Sequence, residues 1–336
     1  MRSIRRYVSI HFLLKLVTFF LLVAVGSCAM TYSKVAVLLS TYNGNKYLDE
    51  YLISLRKQAW RDITLFVRDD GSSDITLQIL KRNQDISNIN LLILPSDGHL
   101  GAAKSFLRLL DGAGDGFDYY AFGDQDDVWL PEKISRAVNK LKSVSKNIPA
   151  LYCSRLEYVD ENLNHLQWSR IPRRIGFGNA IVENIATGCT VVINKLAREL
   201  IVSHNPLECL VHDWWCYLVV SCFGQIVFDD FSSIKYRQHS SNIIGVATTF
   251  IDDVSRRVKR FFSSNGGVFR FSNQVKVFID AFGDRIPEEQ LRILNLVISS
   301  KSSNKDRFRL AVSSYIWRQR KIDDVIMRIL ILINRY

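Results

Sequence analysis

Residues 119–131, YYAFGDQDDVWLP, decide the fold predicted for this chain, because an apolar strand runs directly into a carboxylate cluster and then into a helix opened by Pro131. The same order of apolar run, polar loop and helical spacing recurs upstream. Residues 35–39 (VAVLL) form a continuous apolar run, which is typical of a strand buried on both faces. Residues 63–67 and 91–94 indicate two further strands. Strands alternating with helices predict an α/β fold with a mostly parallel sheet flanked by helices.

The chain divides into three predicted parts. Residues 1–33 form a hydrophobic N-terminal leader or anchor. Residues 34–249 carry the α/β pattern, which continues through strands at residues 190–193 and 226–228 with a helix between them. Residues 250–336 are predicted to be a basic, helical C-terminal region, whose amphipathic helices suit a membrane surface, docking on the main domain, or simply a solvated basic face.

The leader places Arg2, Arg5 and Arg6 before an apolar run at residues 16–25. This layout resembles a secretory signal, but the run is shorter than the roughly 20 residues that span a bilayer. Four interpretations stay open: a short membrane anchor, a spurious upstream extension, a fortuitous apolar lead and a cleaved signal. Translation from Met30 would give a complete α/β domain.

Composition sets broad limits on the protein. Its 336 residues with 48% hydrophobic content can bury a large core, and its six cysteines lack the paired spacing of zinc or redox sites. We therefore expect reduced core cysteines. The formal charge of +11 suits nucleic acid, a phosphate-rich substrate or an anionic membrane.

The strongest chemical signal is the group Asp124, Gln125, Asp126 and Asp127. Carboxylates this close repel each other unless a cation lies among them. In an extended segment, residues two apart face the same side, so Asp124 and Asp126 could reach one ion together. Oxygen ligands with open positions suit Mg²⁺ or Mn²⁺. The alternative is an acidic turn that caps the following helix.

A nucleotide pocket is predicted where the first two strands end. Asp69 and Asp70 end the second strand, and either could accept an N–H of a uracil or thymine base or bond to ribose, although plain N-capping explains the loop almost as well. Ser40, Thr41 and Tyr42 follow the first strand and could supply hydroxyls and an aromatic face to the same base.

The segment His212 to Trp215 (HDWW) opens a helix and is predicted to bind an acceptor. Asp213 is the candidate general base, with an N-cap as the alternative. Trp214 and Trp215 would present aromatic faces to an acceptor sugar.

A later polar loop and two lysines add candidates for phosphate and metal. Arg237 could neutralise phosphate, and His239 could complete a metal shell, although a lone His is often structural. Lys104 and Lys133 are further candidate phosphate contacts.

These motifs occur in an order that resembles the family 2 glycosyltransferases of the GT-A fold. The match covers residues 34–245, and its motifs are LLSTYNG (38–44), RDDGSSD (68–74), GDQDDVW (123–129), TGC (187–189), HDWW (212–215) and YRQHSSNIIG (236–245). The resemblance implies that Asp70 contacts the base, that Asp124 and Asp126 hold metal and diphosphate, with Gln125 beside the donor, and that Asp213 is the base of an inverting transfer.

The motifs DQDDVW and YRQHSSN are similar to those of the bacterial rhamnosyltransferase branch of this family. This resemblance implies a dTDP-rhamnose donor, a lipid-linked polysaccharide acceptor such as O-antigen, and work at the cytoplasmic face of the inner membrane. The leader before Lys34 departs from the usual start of the family near the first strand.

Two other functions compete with this interpretation. A nucleotidyltransferase also combines an α/β pocket with acidic metal ligands, but normally has a glycine-rich basic loop where this chain has residues 40–45 (STYNGN). A non-catalytic basic protein that binds a membrane or nucleotides would explain the charge but not the carboxylate cluster. Because carboxylates repel phosphate unless a metal intervenes, we expect no nucleic-acid partner.

Overall fold

A seven-stranded sheet forms the centre of the protein in a computed structural model that describes residues 33–84, 89–96, 98–204, 211–238 and 271–336. The strands are Val35–Thr41 (β1), Ile63–Asp69 (β2), Asn90–Ile93 (β3), Tyr119–Asp124 (β4), Val128–Trp129 (β5), Ala150–Ser154 (β6), Glu157–Val159 (β7), His165–Trp168 (β8), Val192–Asn194 (β9), Gln225–Asp229 (β10) and Ile234–Arg237 (β11). The helices are Leu48–Arg56 (α1), Thr76–Gln84 (α2), Ala102–Gly112 (α3), Lys133–Lys142 (α4), Phe177–Ala180 (α5), Lys195–Val202 (α6), His212–Phe223 (α7), Phe271–Phe282 (α8), Glu288–Ser299 (α9), Asn304–Val312 (α10) and Lys321–Leu332 (α11).

The central sheet has the order β10-β6-β9-β4-β1-β2-β3. Strands β4, β1, β2 and β3 pair in parallel, as do β10 and β6, while β9 runs antiparallel to both of its neighbours. The predicted mostly parallel sheet flanked by helices is confirmed.

Each face of the sheet is covered by its own hydrophobic core. Alternate residues of β1 explain this division: Ala36 and Leu38 face one core, here called the first, while Val37 and Leu39 face the other, here called the second. Helices α1, α2 and α4 contribute to the second core, and α3, α6 and α7 to the first. The apolar run at residues 35–39 is therefore buried on both sides, as predicted.

A second sheet, with the order β5-β11-β7-β8, was not predicted from the sequence. Its strands have two to four residues each, and β5 pairs with β11 more than a hundred positions away. Strands this short carry little periodicity, so only the tertiary pairing reveals them.

The described helices of the C-terminal region pack onto the first core. Phe278 and Phe282 of α8 contact Trp215 of α7, and Met327 and Ile331 of α11 are also buried there. Among the described helices, none combines the length and the apolar character needed to cross a membrane. Residues 1–32 of the leader, the predicted boundary at residue 249 and the first part of the predicted C-terminal region, residues 250–270, lie outside the described residues.

Candidate active site

Three polar loops meet at the carboxyl ends of β4, β1 and β2. The parallel register places Ser40 of β1 opposite both Arg68 of β2 and Asp124 of β4. Ligands of open parallel sheets bind beyond such strand ends. The structure therefore brings together the loops from which the sequence predicted one pocket.

Asp69 organises the loop after β2. Its carboxylate accepts hydrogen bonds from the Thr41 hydroxyl at 2.8 Å, from the Ser72 hydroxyl at 2.6 Å, and from the N–H groups of Ser72 and Gly71 at 2.8 and 3.2 Å. Asp69 and Thr41 are also buried. Their side chains bond to each other and to the loop, and their contacts with the nucleotide stay a prediction.

Asp70 is likewise buried against the protein rather than open to a ligand. It pairs with Arg68 at 2.5 Å and accepts the N–H groups of Leu100 and Gly101 at 2.8 Å each. Burial alone would raise the pKa of Asp70, but these three partners hold it below its usual value. Asp70 also fixes residues 98–101 beside the pocket.

Tyr42 and His99 form an aromatic pair at the mouth of the pocket. Their ring centroids lie 4.9 Å apart, and both side chains are at least half exposed. The side-chain amide of Gln125 accepts the N–H of Tyr42 and donates to its carbonyl, each at 3.0 Å. Gln125 therefore links the loops after β1 and β4, which differs from its predicted contact with the donor. Gly44 permits this link, since a side chain there would overlap the Gln125 amide.

Two further predicted donor contacts lie at the edge of this pocket. The hydroxyl of Ser40 is 2.6 Å from that of Ser105, which in turn accepts a hydrogen bond from Arg68 at 3.1 Å. Lys104 is exposed in the first turn of α3. Its contact with phosphate stays a prediction.

The carboxylates after β4 gather around a tight turn. The N–H of Asp127 bonds to the carbonyl of Asp124 at 3.4 Å, so the segment is not extended and the two-residue spacing argument was wrong. Asp124, Asp127 and Cys189 each offer a ligand atom, and these atoms lie within 4.8 Å of one another. Asp126 is half-buried in the turn and raises the pKa values of both neighbouring carboxyls by its charge.

This cluster fits a divalent cation. Burial and the charges of Asp126 and Asp213 raise the pKa of Asp124 to about 7, and burial raises that of Asp127 well above its usual value. Among the described residues, Oδ2 of Asp127 has no hydrogen-bond partner. Two of the three ligand atoms on offer are carboxylate oxygens, which suit Mg²⁺ or Mn²⁺.

Lys133 and Arg237 are buried next to the carboxylate turn, and their contacts with phosphate stay a prediction. Lys133 is fully buried, with Nζ 4.0 Å from the ring centroid of Trp129. Burial lowers its pKa to about 8, while the nearby Cys189 and Asp127 oppose this shift.

The guanidinium of Arg237 supports the turn from below. It donates to the carbonyl of Asp126 at 2.9 Å, to that of Glu161, and to the Glu50 carboxylate, and it stacks on Tyr47 with 4.3 Å to the ring centroid. Its backbone N–H donates to Asp127 at 3.2 Å. Arg237 therefore fixes the shape of the carboxylate turn, and its charge is already paired.

Asp213 lies in the first turn of α7 and is only 8% exposed. Its Oδ1 accepts the N–H of Trp214 at 2.6 Å. Burial raises its pKa to about 6, while hydrogen bonds from Trp214, Gly188 and Asn184 limit the rise. A carboxyl with this pKa is ionised at neutral pH but remains a competent proton acceptor.

The segment Thr187 to Cys189 joins Asp213 to the carboxylate turn. Gly188 lies so close to α7 that a Cβ there would be 2.9 Å from Nε2 of His212 and 3.5 Å from Oδ2 of Asp213. The next residue, Cys189, belongs to the cluster with Asp124 and Asp127. The carboxylate turn and Asp213 therefore both lie next to this short segment, and the charge of Asp213 contributes to the raised pKa of Asp124.

The two tryptophans of the HDWW segment have different environments. Trp214 is half-buried and donates from Nε1 to the carbonyl of Ala180 at 2.7 Å. Trp215 is fully buried in the first core against Phe278 and Phe282, so its predicted role in acceptor binding is wrong. Neighbouring helix residues point about 100° apart, which explains the difference.

Sequence reasoning missed His99 and Asn184, and His239 lies outside the described residues. His99 stands in a glycine-flanked loop (GHLG) before α3, a local signal that could have been noticed. Nothing near Asn184 in the sequence indicates its link to Asp213. The four described cysteines, Cys153, Cys189, Cys216 and Cys222, are buried, as predicted for core residues.

Known structures confirm the GT-A fold. The S. aureus TarS fragment 1–349, in complex with UDP-GlcNAc, is 17% identical, covers 89% of this chain and 81% of its own, and gives a TM-score of 0.53. A mannosyltransferase from Pyrobaculum calidifontis, in complex with GDP-Man and Mn2+, is 18% identical, covers 83% and 73%, and gives a TM-score of 0.52. At these identities the likeness concerns the fold.

Sequence comparisons give the family. The model described as "Glycosyl transferase family 2" matches residues 36–200. The dTDP-rhamnosyl transferase RfbG of Shigella flexneri is 32% identical over 228 residues, which cover 63% of this chain and 75% of the relative. The β-1,3-glucosyltransferase WfgD of Escherichia coli is 28% identical, with 62% and 79% covered. This chain therefore belongs to glycosyl transferase family 2 and uses a sugar-nucleotide donor.

Proposed function

We propose that the protein transfers L-rhamnose from dTDP-rhamnose, with inversion and with Mg²⁺ or Mn²⁺, to a lipid-linked glycan such as an O-antigen precursor. One observation supports the mechanism: the carboxylate turn and Asp213 both lie next to the segment formed by Gly188 and Cys189. The name of the Shigella flexneri relative supports the donor. The name of the Escherichia coli relative, which acts on GlcNAc-diphosphoundecaprenol, supports a lipid-linked acceptor.

The donor is proposed to bind across the ends of β1, β2 and β4. Tyr42 and His99 offer exposed rings on which the base can stack, and Asp70 holds the loop that carries His99. Lys104 stands at the start of α3, where it can approach a phosphate of the donor. His239 follows β11 in the sequence, and a contribution to the metal shell is retained as a proposal.

Asp124, Asp126 and Asp127 would hold the cation. When bound, it neutralises charge on the departing diphosphate. Arg237 keeps Asp126 and Asp127 in the turn through its bonds to the Asp126 carbonyl and the Asp127 carboxylate. The carboxylates are thus held together before the donor arrives, which lowers the cost of ordering them.

Asp213 is proposed to accept the proton of the acceptor hydroxyl as that oxygen attacks the anomeric carbon from the face opposite the diphosphate. This geometry inverts the configuration without a covalent intermediate. The N–H of Trp214 fixes the carboxylate at 2.6 Å, and the half-exposed Trp214 ring can pack against the acceptor sugar. We place this reaction at the cytoplasmic face of the inner membrane, with the enzyme bound peripherally or by its N-terminus.

The test is release of nucleoside diphosphate from a panel of dTDP and UDP sugars, with Mn²⁺ or with EDTA. We expect dTDP-rhamnose to be turned over only with the metal, and Asp126→Ala to lose this turnover. Asp230→Ala, at an exposed aspartate after β10, is the matched control and should keep it. Turnover that is equal in EDTA would contradict the metal role, and a preference for another sugar would contradict the donor.

A further inference from the structure

The helix pair α10 and α11, here named the C-terminal hairpin (residues 304–333), has an outer face of apolar side chains. Eight of them are between 47% and 63% exposed: Phe308, Val312, Tyr315, Ile322, Val325, Ile329, Leu332 and Ile333. In α11 they recur at intervals of three and four, so they form one stripe along the helix. Contiguous exposed apolar surface on a protein usually marks an interaction site.

The exposure does not result from a loosely attached helix. The inner face of the hairpin packs into the first core through Leu310, Met327 and Ile331. Arg328 of α11 donates to the carbonyl of Ala311 at 2.6 Å and to that of Ser313 at 2.8 Å, which fixes the two helices to each other. The hairpin therefore presents its outer stripe on a rigid support.

The charge of this region selects the partner. Residues 301–336 contain nine Lys and Arg against three Asp, a net charge of +6. Each aspartate lies within 4.0 Å of an arginine of the same region: Asp306 with Arg309, Asp323 with Arg320, and Asp324 with Arg328. Acidic charge is thus neutralised internally, and Lys305, Lys321 and Arg335 are exposed.

We propose that the C-terminal hairpin docks on the surface of a bilayer that contains anionic phospholipid. Apolar side chains enter the boundary between headgroups and acyl chains, and each exposed Lys or Arg gains attraction from the lipid charge. A second copy of this chain would bring the same positive charge, so self-association through this face is disfavoured.

The hairpin is also connected to the residues proposed to bind the acceptor, and this part of the argument rests on the proposed function. The carbonyl of Trp317 accepts a hydrogen bond from the side-chain amide of Asn179 in α5 at 3.1 Å. The side-chain oxygen of Gln319 accepts a hydrogen bond from the backbone N–H of Arg173 at 2.8 Å. The last residue of α5, Ala180, accepts the Nε1 hydrogen of Trp214. The hairpin is therefore joined through α5 to Trp214, the neighbour of the proposed base Asp213.

Flotation of the full chain with vesicles is the first experiment. We expect binding to vesicles of phosphatidylcholine with phosphatidylglycerol and weaker binding to phosphatidylcholine alone. The double variant Ile322→Ser, Ile329→Ser should bind the anionic vesicles roughly tenfold more weakly, because two half-exposed apolar side chains no longer enter the lipid. Ile53→Ser with Ile75→Ser, at similarly exposed isoleucines outside the hairpin, should bind as wild type.

Photoactivatable phosphatidylglycerol then locates the contact by mass spectrometry of the labelled peptides. Adducts within residues 305–333 are expected. Adducts confined to residues 1–32 or 239–270, or a hairpin variant that binds like its control, would overturn the proposal, as would a concentration-dependent dimer lost in the hairpin variant. Donor turnover without vesicles should be unchanged in the variant, so loss of lipid binding can be separated from failure of the proposed reaction.

Discussion

Replacing Asp213 by asparagine should abolish sugar transfer and yet stabilise the folded protein at neutral pH. Burial raises the pKa of Asp213 from 3.8 to about 6, and each unit corresponds to about 1.4 kcal/mol. Keeping this carboxyl ionised in the folded state therefore costs about 3 kcal/mol. Asparagine avoids that cost but offers one acceptor fewer to the N–H groups of Trp214 and Gly188, which costs about 1 kcal/mol. The net gain is about 2 kcal/mol.

The pH dependence of this gain follows from its sign. The pKa of Asp213 is higher in the folded than in the unfolded state, so the folded protein binds more protons between pH 3.8 and about 6. The destabilisation grows as the pH rises through this window and is complete above it. The variant should be more stable than wild type by about 2 kcal/mol near neutral pH, about equal to it between roughly pH 4 and 5, and about 1 kcal/mol less stable at lower pH, where only the lost acceptor counts.

Urea denaturation in EDTA at several pH values measures this difference, and Asp230→Asn, at an exposed aspartate, is the control. Transfer is measured separately with donor and acceptor, together with donor binding, which Asp213→Asn should retain. A stability difference that does not change with pH would refute the burial argument. Transfer at the wild-type rate would refute the assignment of the base.

Three further substitutions test the site. Trp215→Phe should lower the free energy of unfolding by about 1 to 3 kcal/mol in urea denaturation, since it leaves a cavity in the core, whereas Trp214→Phe should mainly raise the KM for the acceptor. Arg237→Met should lower stability by about 3 kcal/mol and raise the Mn²⁺ concentration needed for half-maximal turnover, because buried bonds beneath the carboxylate turn are lost. Gly188→Ala should lower kcat while leaving nucleotide binding, measured by calorimetry, near wild type, because its Cβ would push against His212 and so shift the first turn of α7, which carries Asp213.

The sequence predicted the large elements and the order of the site loops because both depend on local chemistry. A strand buried on two faces needs a continuous apolar run such as residues 35–39, and a strand that ends at a ligand site is followed directly by polar residues. The second rule placed Asp124 at the end of β4, and the start of a helix at the HDWW segment placed Asp213 in the first turn of α7. The family, recognised from the ordered motifs, agrees with the comparisons.

The sequence by itself thus determined the strands of the central sheet, the helices between them and the loops at their ends, and the tertiary structure decided the second sheet and the partners of each polar side chain. Lys133 and Arg237 are residue types that often bind phosphate. Packing buries both next to the carboxylate turn, where their positive charges lie close to carboxylates. Trp215 lies in the core while its neighbour borders the cleft. The physical reason is that burial and pairing depend on partners distant in the chain, such as Glu50 for Arg237 and Phe278 for Trp215, which local periodicity does not encode.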